Sequence, residues 1–377
     1  MTTTKNNEHK KLNAPNLRFP EFSGEWEKCK FKDVCNTSTG NKNTQDKVND
    51  GIYPFYVRSQ NVERINSWTF DGEAVLTAGD GVGVGKVFHH TYGKVGVHQR
   101  VYILSDFKCD ANYLFHYFAS NFYNRIKRMS AKNSVDSVRK EMITEMPLYL
   151  PCQQEQTKIG QLLTLLDERI AIQSKVIEDL KKLKCAIIEE LYAGIQGTKY
   201  SYRQLFNIIN ERNKNLEYSN ILSASQEKGM VSREELNLDI QFERSNINTY
   251  KIVRRGDYVI HLRSFQGGFA FSEKNGVCSP AYTILRPNNL LEYGYLSNYF
   301  TSRDFIKSLI IVTYGIRDGR SINVEEWLDM KIAIPSKEQQ TYIVNIIESI
   351  ENKIRNEETY LNCLSNQKQY LLRQMFI

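Results

Sequence analysis

Two stretches of this chain carry the same apolar rhythm, 184 residues apart. Met146 to Tyr192 aligns without a gap onto Met330 to Phe376, with Pro151 over Pro335, Gln156 over Gln340 and Ile170 over Ile354. In the first stretch Ile159, Leu163, Leu166, Ile170, Gln173, Ile177, Leu180, Lys184, Ile187 and Leu191 step by alternating fours and threes. Ile343, Ile347, Ile350, Ile354, Glu357, Leu361, Leu364, Lys368, Leu371 and Met375 repeat that rhythm in the second. The spacing is that of a coiled-coil seam. It predicts two helices of roughly 35–40 residues, each on the order of 55 Å long. Lys184 and Lys368, at matched seam positions, are expected to set register or touch a partner.

Each helix opens on a start signal. Ser336 and Gln339 form a Ser-x-x-Gln capping box, while Cys152 stands at the equivalent place in the first copy and predicts a weaker cap. Gly194 and Gly197 suit the first helix's end and a linker. The segments before the helices alternate short β-like runs with turns. They are Ile52–Val57, Ala74–Thr77, Gly85–Phe88 and Lys94–Leu104, then a helix over Asn112–Met129. The second segment repeats the order at Asp257–Leu262, Gly268–Phe271 and Ala281–Leu285, then a helix over Gly294–Leu309. Gly72-Glu73 matches Gly256-Asp257, and Trp26, Phe31 and Val34 match Tyr200, Leu205 and Ile208 in spacing.

The reading is therefore an α+β chain with an internal duplication. A β-rich module over 1–150 is followed by a helix and linker over 151–199, a second module over 200–334 and a second helix over 335–377. Helices packed by matched seams must run antiparallel, which predicts one module at each end and an approximate two-fold axis.

Charge is divided unevenly. Residues 1–150 carry a net +5 and residues 200–334 a net +2, while both helical segments are neutral. A polyanion would be met by the modules, and neutral helices suit protein contacts. Seven scattered cysteines without a Cys-x-x-Cys pair favour reduced thiols over a disulfide framework or zinc site. No apolar run reaches the ~18 residues of a membrane span, and Met1 to Lys11 is too polar for a signal peptide. A cytoplasmic protein is expected.

The Pro-x-x-x-Glu/Gln-Gln-x-x-Ile start of each helix (Pro151, Glu155, Gln156, Ile159; Pro335, Gln339, Gln340, Ile343) adds a family resemblance. So does the opening Leu17-Arg18-Phe19-Pro20-x-Phe22-x-Gly24-x-Trp26. With the repeated helices and divergent modules, the whole chain resembles the specificity subunit of type I restriction–modification systems. Cys152 and Ser336 depart from the family pattern at the helix starts. The resemblance implies two target-recognition domains on helical spacers, reading a bipartite asymmetric duplex DNA target. It implies two methyltransferase subunits that bring S-adenosylmethionine, and two translocase–nuclease restriction subunits that use ATP and magnesium. No cofactor or catalysis is expected of this chain itself.

The sequence lacks the motifs of the relevant catalysts. The eight prolines never pair, so the Asn/Asp-Pro-Pro-aromatic loop of an amino-methyltransferase is missing. Gly79-Asp80-Gly81-Val82-Gly83-Val84-Gly85-Lys86 lacks the Walker spacing, with Val87 where a magnesium-binding Ser or Thr would stand. It reads as a tight strand turn. His89, His90 and His98 read as surface hairpin histidines, and Asp179-x-Lys181 as a solvated helix face.

Base and phosphate contacts draw on Arg, Lys, Asn and Gln in loops. The candidates are Arg58, Ser59, Gln60, Asn61, Lys86, Gln99, Arg100, Lys132 and Asn133 in the first module. In the second they are Arg263, Ser264, Gln266, Tyr314, Arg317 and Arg320. The rival readings are a coiled-coil scaffold with protein-binding modules and an autonomous restriction–modification enzyme. Salt-dependent DNA binding separates the first rival from a recognition subunit.

Overall fold

In a computed structural model of the chain, which describes residues 13–129, 137–225, 228–233, 244–261, 268–314 and 321–377, two compact units form. One holds Met1–Ser174 with Thr359–Ile377, the other Lys175–Glu358.

The first unit begins with β1 (Glu27–Lys30), α1 (Phe31–Val34), β2 (Asn36–Thr39), β3 (Tyr53–Tyr56), β4 (Glu63–Ile65) and β5 (Phe70–Ala78). It continues with β6 (Phe88–Val97), β7 (Val101–Ser105), α2 (Ala111–Met129), α3 (Lys140–Thr144), β8 (Pro147–Leu150) and the start of α4 (Gln153–Tyr192). Six strands form one sheet in the order β2-β7-β5-β6-β3-β4. Every neighbouring pair is antiparallel except β3 and β6. β5 is covered on both faces. Val75 and Leu104 pack with Tyr113, Leu114, Phe118 and Phe122 of α2, while Ala74 and Leu76 pack with Val95, Val97 and Ile103.

The second unit begins with β9 (Thr198–Ser201), α5 (Tyr202–Leu205), β10 (Phe206–Ile209), β11 (Leu222–Ser225), β12 (Gly229–Ser232), β13 (Lys251–Val253) and β14 (Tyr258–Ile260). Next come β15 (Phe269–Phe271), β16 (Gly276–Cys278), β17 (Thr283–Pro287), α6 (Tyr295–Tyr299), α7 (Arg303–Ser308) and β18 (Thr313–Tyr314). It closes with β19 (Ser321–Ile322), α8 (Val324–Asp329), β20 (Lys331–Ile334) and the start of α9 (Lys337–Met375). Its four-stranded antiparallel sheet has the order β10-β17-β14-β15. The core is aromatic: Tyr202 stacks on Trp327 at 4.3 Å, and Phe206, Phe269, Phe300 and Phe305 surround them.

The order β2-β7-β5-β6 recurs as β10-β17-β14-β15, and the pairing of β1 with β8 recurs as β9 with β20. These pairings fix the correspondence of the module starts. α1 and α5 occupy the same step, so Phe31 corresponds to Tyr202 and Val34 to Leu205. The match of Phe31 to Leu205 and Val34 to Ile208 read from spacing is therefore three residues out. Two further expectations change. Lys94–Leu104 is the end of β6, a turn at His98–Arg100 and β7, because Val101 N–H closes that turn on His98 O. Gly294–Leu309 is two helices, because buried Ser302 caps α7 by accepting from Phe305 N–H.

In each unit the two long helices run antiparallel and join the module core. In the first, Ile159 and Leu163 of α4 and Met375 and Phe376 of α9 enter the cluster around α2. Lys368 pairs with Asp167, and Arg169 lies over Tyr360. In the second, Ile188 of α4 and Ile343 and Ile347 of α9 enter the aromatic core. Lys184 pairs with Glu351 at 2.5 Å and Lys181 with Glu358 at 2.7 Å. Each seam lysine thus meets a carboxylate, and Asp167 and Glu351 are themselves 184 residues apart.

The remaining seam positions are arranged to match. Ile177, Ile354 and Leu364 are buried; Leu166, Ile170, Leu180, Ile187, Leu191, Ile350, Leu361 and Leu371 are half-buried.

The helix starts are fastened by glutamine. Buried Gln156 donates to Pro151 O and accepts from Asp110 N–H; buried Gln340 donates to Pro335 O and Leu290 O and accepts from Glu292 N–H. Ser336 Oγ accepts from Gln339 N–H at 3.3 Å. Glu155, fully buried, takes a two-pronged ion pair from Arg18, with both N···O distances 2.7 Å. The opening Leu-Arg-Phe-Pro segment is thereby tied to the first helix.

Candidate nucleic-acid interface

Contacts between segments gather the polar loops of the first module: Gly79 N–H donates to Arg100 O, His98 N–H donates to Tyr56 O, and Ser59 O faces His89 Nε2. β3 and β6 are parallel, with Phe55 beside Gly96 and Tyr56 beside Val97, so the residues leaving both strands emerge together. Ala78, the last residue of β5, lies beside Val101, the first of β7. Arg58 to Asn61, Gly79 to Val87 and His98 to Arg100 therefore share one rim.

The glycine-rich turn is a rigid piece of that rim. A Cβ on Gly83 would sit 2.4 Å from Arg58 O, and one on Gly79 would sit 2.9 Å from Arg100 O. No side chain fits at either contact. Val84 and Val87 are buried beneath the turn, and Thr77 Oγ1 donates to Val87 O. Val82 projects outward, 96% exposed, and Lys86 is exposed as well.

Asp80 stands between two arginines. Its Oδ1 is 2.9 Å from Arg58 Nη1 and its Oδ2 is 3.7 Å from Arg100 Nε. Both arginine side chains remain substantially exposed, at 45% and 65%. Gln99 donates from Nε2 to Asn43 Oδ1 at 2.6 Å, and its backbone N–H donates to Lys42 O. Ser59 Oγ donates to Asn61 O, while Ser59 O faces His89 Nε2. Gln60 is exposed.

His98 is buried, contrary to its reading as a surface residue, because its ring fills the turn between β6 and β7. Its Nδ1 accepts from Arg100 N–H at 3.0 Å, which fixes the ring as neutral. Burial, and then Arg58 nearby, push its pKa below the usual histidine value. Burial likewise lowers that of half-buried His89, and half-buried His90 pairs with Glu73 at 3.0 Å.

Seven of the candidate DNA contacts from the sequence thus lie on this rim: Arg58, Ser59, Gln60, Asn61, Lys86, Gln99 and Arg100. Asp80, Lys42 and Asn43 join them without having been singled out. No local spacing brings residue 42 beside residue 98; a non-local parallel bridge does. Lys132, Asn133, Arg263, Ser264, Gln266, Arg317 and Arg320 lie outside the described residues, and Tyr314 enters only through its backbone pairing with Ser321. No group of three or more His, Cys, Asp or Glu suited to a metal ion occurs among the described residues. None of the helices among those residues is long and apolar enough to cross a membrane.

Comparison with known proteins identifies the architecture. Residues 23–182 match the family profile Methylase_S, the type I restriction modification DNA specificity domain. The specificity subunit of the type I restriction enzyme EcoDI from Escherichia coli is 29% identical over 168 residues, which is 44% of this chain. That alignment spans 37% of the relative's own length. In fold, the chain is similar to the S subunit of a type I restriction–modification system from M. genitalium, at a TM-score of 0.62 and 14% identity. That similarity covers 97% of this chain and 99% of the other. A second solved chain, from work on complex assembly and conformational transition of the type I R-M system, gives a TM-score of 0.57 at 14% identity. It covers 93% of this chain and 97% of the other. Residues 23–182 thus match the type I restriction modification DNA specificity domain, and the chain as a whole shares the fold of the solved S-subunit chain.

Proposed function

We propose that this chain is the DNA-recognition subunit of a type I restriction–modification complex and performs no catalysis itself. Each module reads one half of a bipartite, asymmetric target, and the long helices fix the gap between the halves. The observation that carries this reading is the cationic, polar rim of the first module, built on a strand framework that the second module shares. A common framework with different loop side chains is what two different half-sites require.

Two methyltransferase subunits would supply S-adenosylmethionine and flip the target adenines, and two restriction subunits would supply ATP- and magnesium-dependent translocation and cleavage. The exposed apolar side chains of α4 support a protein partner: Leu165 and Ile172 in the first unit, Leu183 in the second.

The test exchanges residues 200–334 for the same region of a relative and, separately, inserts seven residues in α4. The exchange should alter one half of the methylated motif, and the insertion should change the gap or abolish assembly. Alteration of both halves by the exchange, or an insertion without consequence, would refute the reading.

A further inference from the structure

On the reading that the first module binds DNA, Asp80 has a role that a DNA-binding rim would not be expected to include. A carboxylate among phosphate-contacting arginines is repulsive to the ligand. Its position here is nevertheless fixed on three sides. Gly79 O accepts from Val138 N–H, Gly79 N–H donates to Arg100 O, and Asp80 bridges Ser137 through the backbone.

The carboxylate takes only one edge of each guanidinium. Arg58 is held through Nη1 and Arg100 faces it through Nε. Arg100 keeps both terminal nitrogens for a ligand, and Arg58 keeps Nε and Nη2. Arg58 is oriented by a hydrogen bond and Arg100 by charge alone, and the carboxylate offsets part of the charge of each guanidinium. Such a group favours a neutral acceptor pair over a phosphate, which the same carboxylate repels. The neutral acceptor pair that an arginine fork fits is the O6 and N7 edge of guanine in the major groove.

We propose that Asp80 is a positioning residue that makes Arg58 and Arg100 readers of guanine edges in the first half-site rather than phosphate clamps. Val82 and Lys86, on the turn just beyond, remain exposed beside them.

The test uses the chain in complex with its methyltransferase. Dissociation constants are measured for the gapped target and for a non-target duplex from 0.05 to 0.3 M salt, for the wild type and Asp80→Asn. Freeing one cation for phosphate should steepen the logarithmic salt slope on non-target DNA by about 0.9 and tighten that binding about eightfold at 0.1 M. Affinity for the true target should not rise, so discrimination falls by the same factor, about eightfold.

Replacing guanines of the first half-site one at a time by 7-deazaguanine supplies a readout that a merely structural role of Asp80 would not move. At one guanine or more, loss of N7 should weaken the wild type about tenfold, within the range expected of a bidentate base contact. The same change should weaken Asp80→Asn by less than threefold. Equal effects of Asp80→Asn on target and non-target DNA would overturn the proposal. So would a first half-site indifferent to guanine N7 or lacking a G·C pair. A wild-type complex that shows no preference for any gapped target would instead refute the recognition function itself.

Discussion

Removing Arg18 should destabilise the first unit far more than loss of a surface charge. Glu155 is fully buried, and the Arg18 side chain is only 16% exposed. Arg18 supplies two 2.7 Å bonds to the carboxylate and two more to Gly24 O and Ser23 O. Arg18→Ala strands a buried carboxylate, which costs about 3 kcal/mol or more when one partner of such a pair is lost. With a urea m-value of about 2 kcal/mol/M, the midpoint should fall by about 1.5 M.

The assay is urea-dependent hydrogen exchange read by mass at peptides of β5 and of β14, which separates the two units. The β5 midpoint should shift and the β14 midpoint should stay. Arg18→Met with Glu155→Met should recover to within about 1 kcal/mol, because replacing both charges removes the desolvation penalty. A β5 shift below about 0.3 M, or a double variant as unstable as the single one, would refute the assignment of the pair.

Other consequences are open to measurement. Burial, reinforced by Lys368 and His90, lowers the pKa of His116 to about 3, with Asp167 and Thr164 also at its ring. The unfolded chain binds a proton there below pH 6.5 and the folded one does not, so stability should fall with pH, by about 1.2 kcal/mol between pH 6 and 5. His116→Gln should abolish that part of the slope in urea titrations, and an unchanged slope would count against it. Lys368→Glu, facing Asp167, should cost about 1–2 kcal/mol at this partly solvated site, and adding Asp167→Lys should recover at least half. A double variant no better than the single would show that the pair carries no register. Leu165→Glu with Ile172→Glu should leave the melting curve unchanged but abolish co-purification with the methyltransferase; retained co-purification would place the contact elsewhere. Gly83→Ala, whose Cβ meets Arg58 O, should weaken target DNA binding at least tenfold without loss of assembly, checked by titration of the purified complex.

The helices were legible because their signal is periodic and local: each of the twenty seam positions is buried or half-buried. The glycine turn was legible as a tight turn for a similar reason. What could not be read was long-range pairing. Lys42 reaches the rim through a bridge to His98, and Asp80 meets Arg58 and Arg100 from other segments. The break in Gly294–Leu309 was hidden because Ser302 caps only once the chain has turned. Glu155 stands in the helix-start motif, but nothing local shows that its partner is Arg18, 137 residues away. His98 looked exposed because a polar ring in a hairpin turn gives no sequence signal that its Nδ1 is used internally.

The most direct measurement is methylome sequencing of a methylation-free host expressing this chain together with the methyltransferase proposed as its partner, against the methyltransferase alone. The account predicts a new asymmetric, gapped motif carrying methyladenine that appears only when both are present. Methylation unchanged by this chain, with the two proteins still co-purifying, would contradict it and leave a scaffold in place of a recognition subunit.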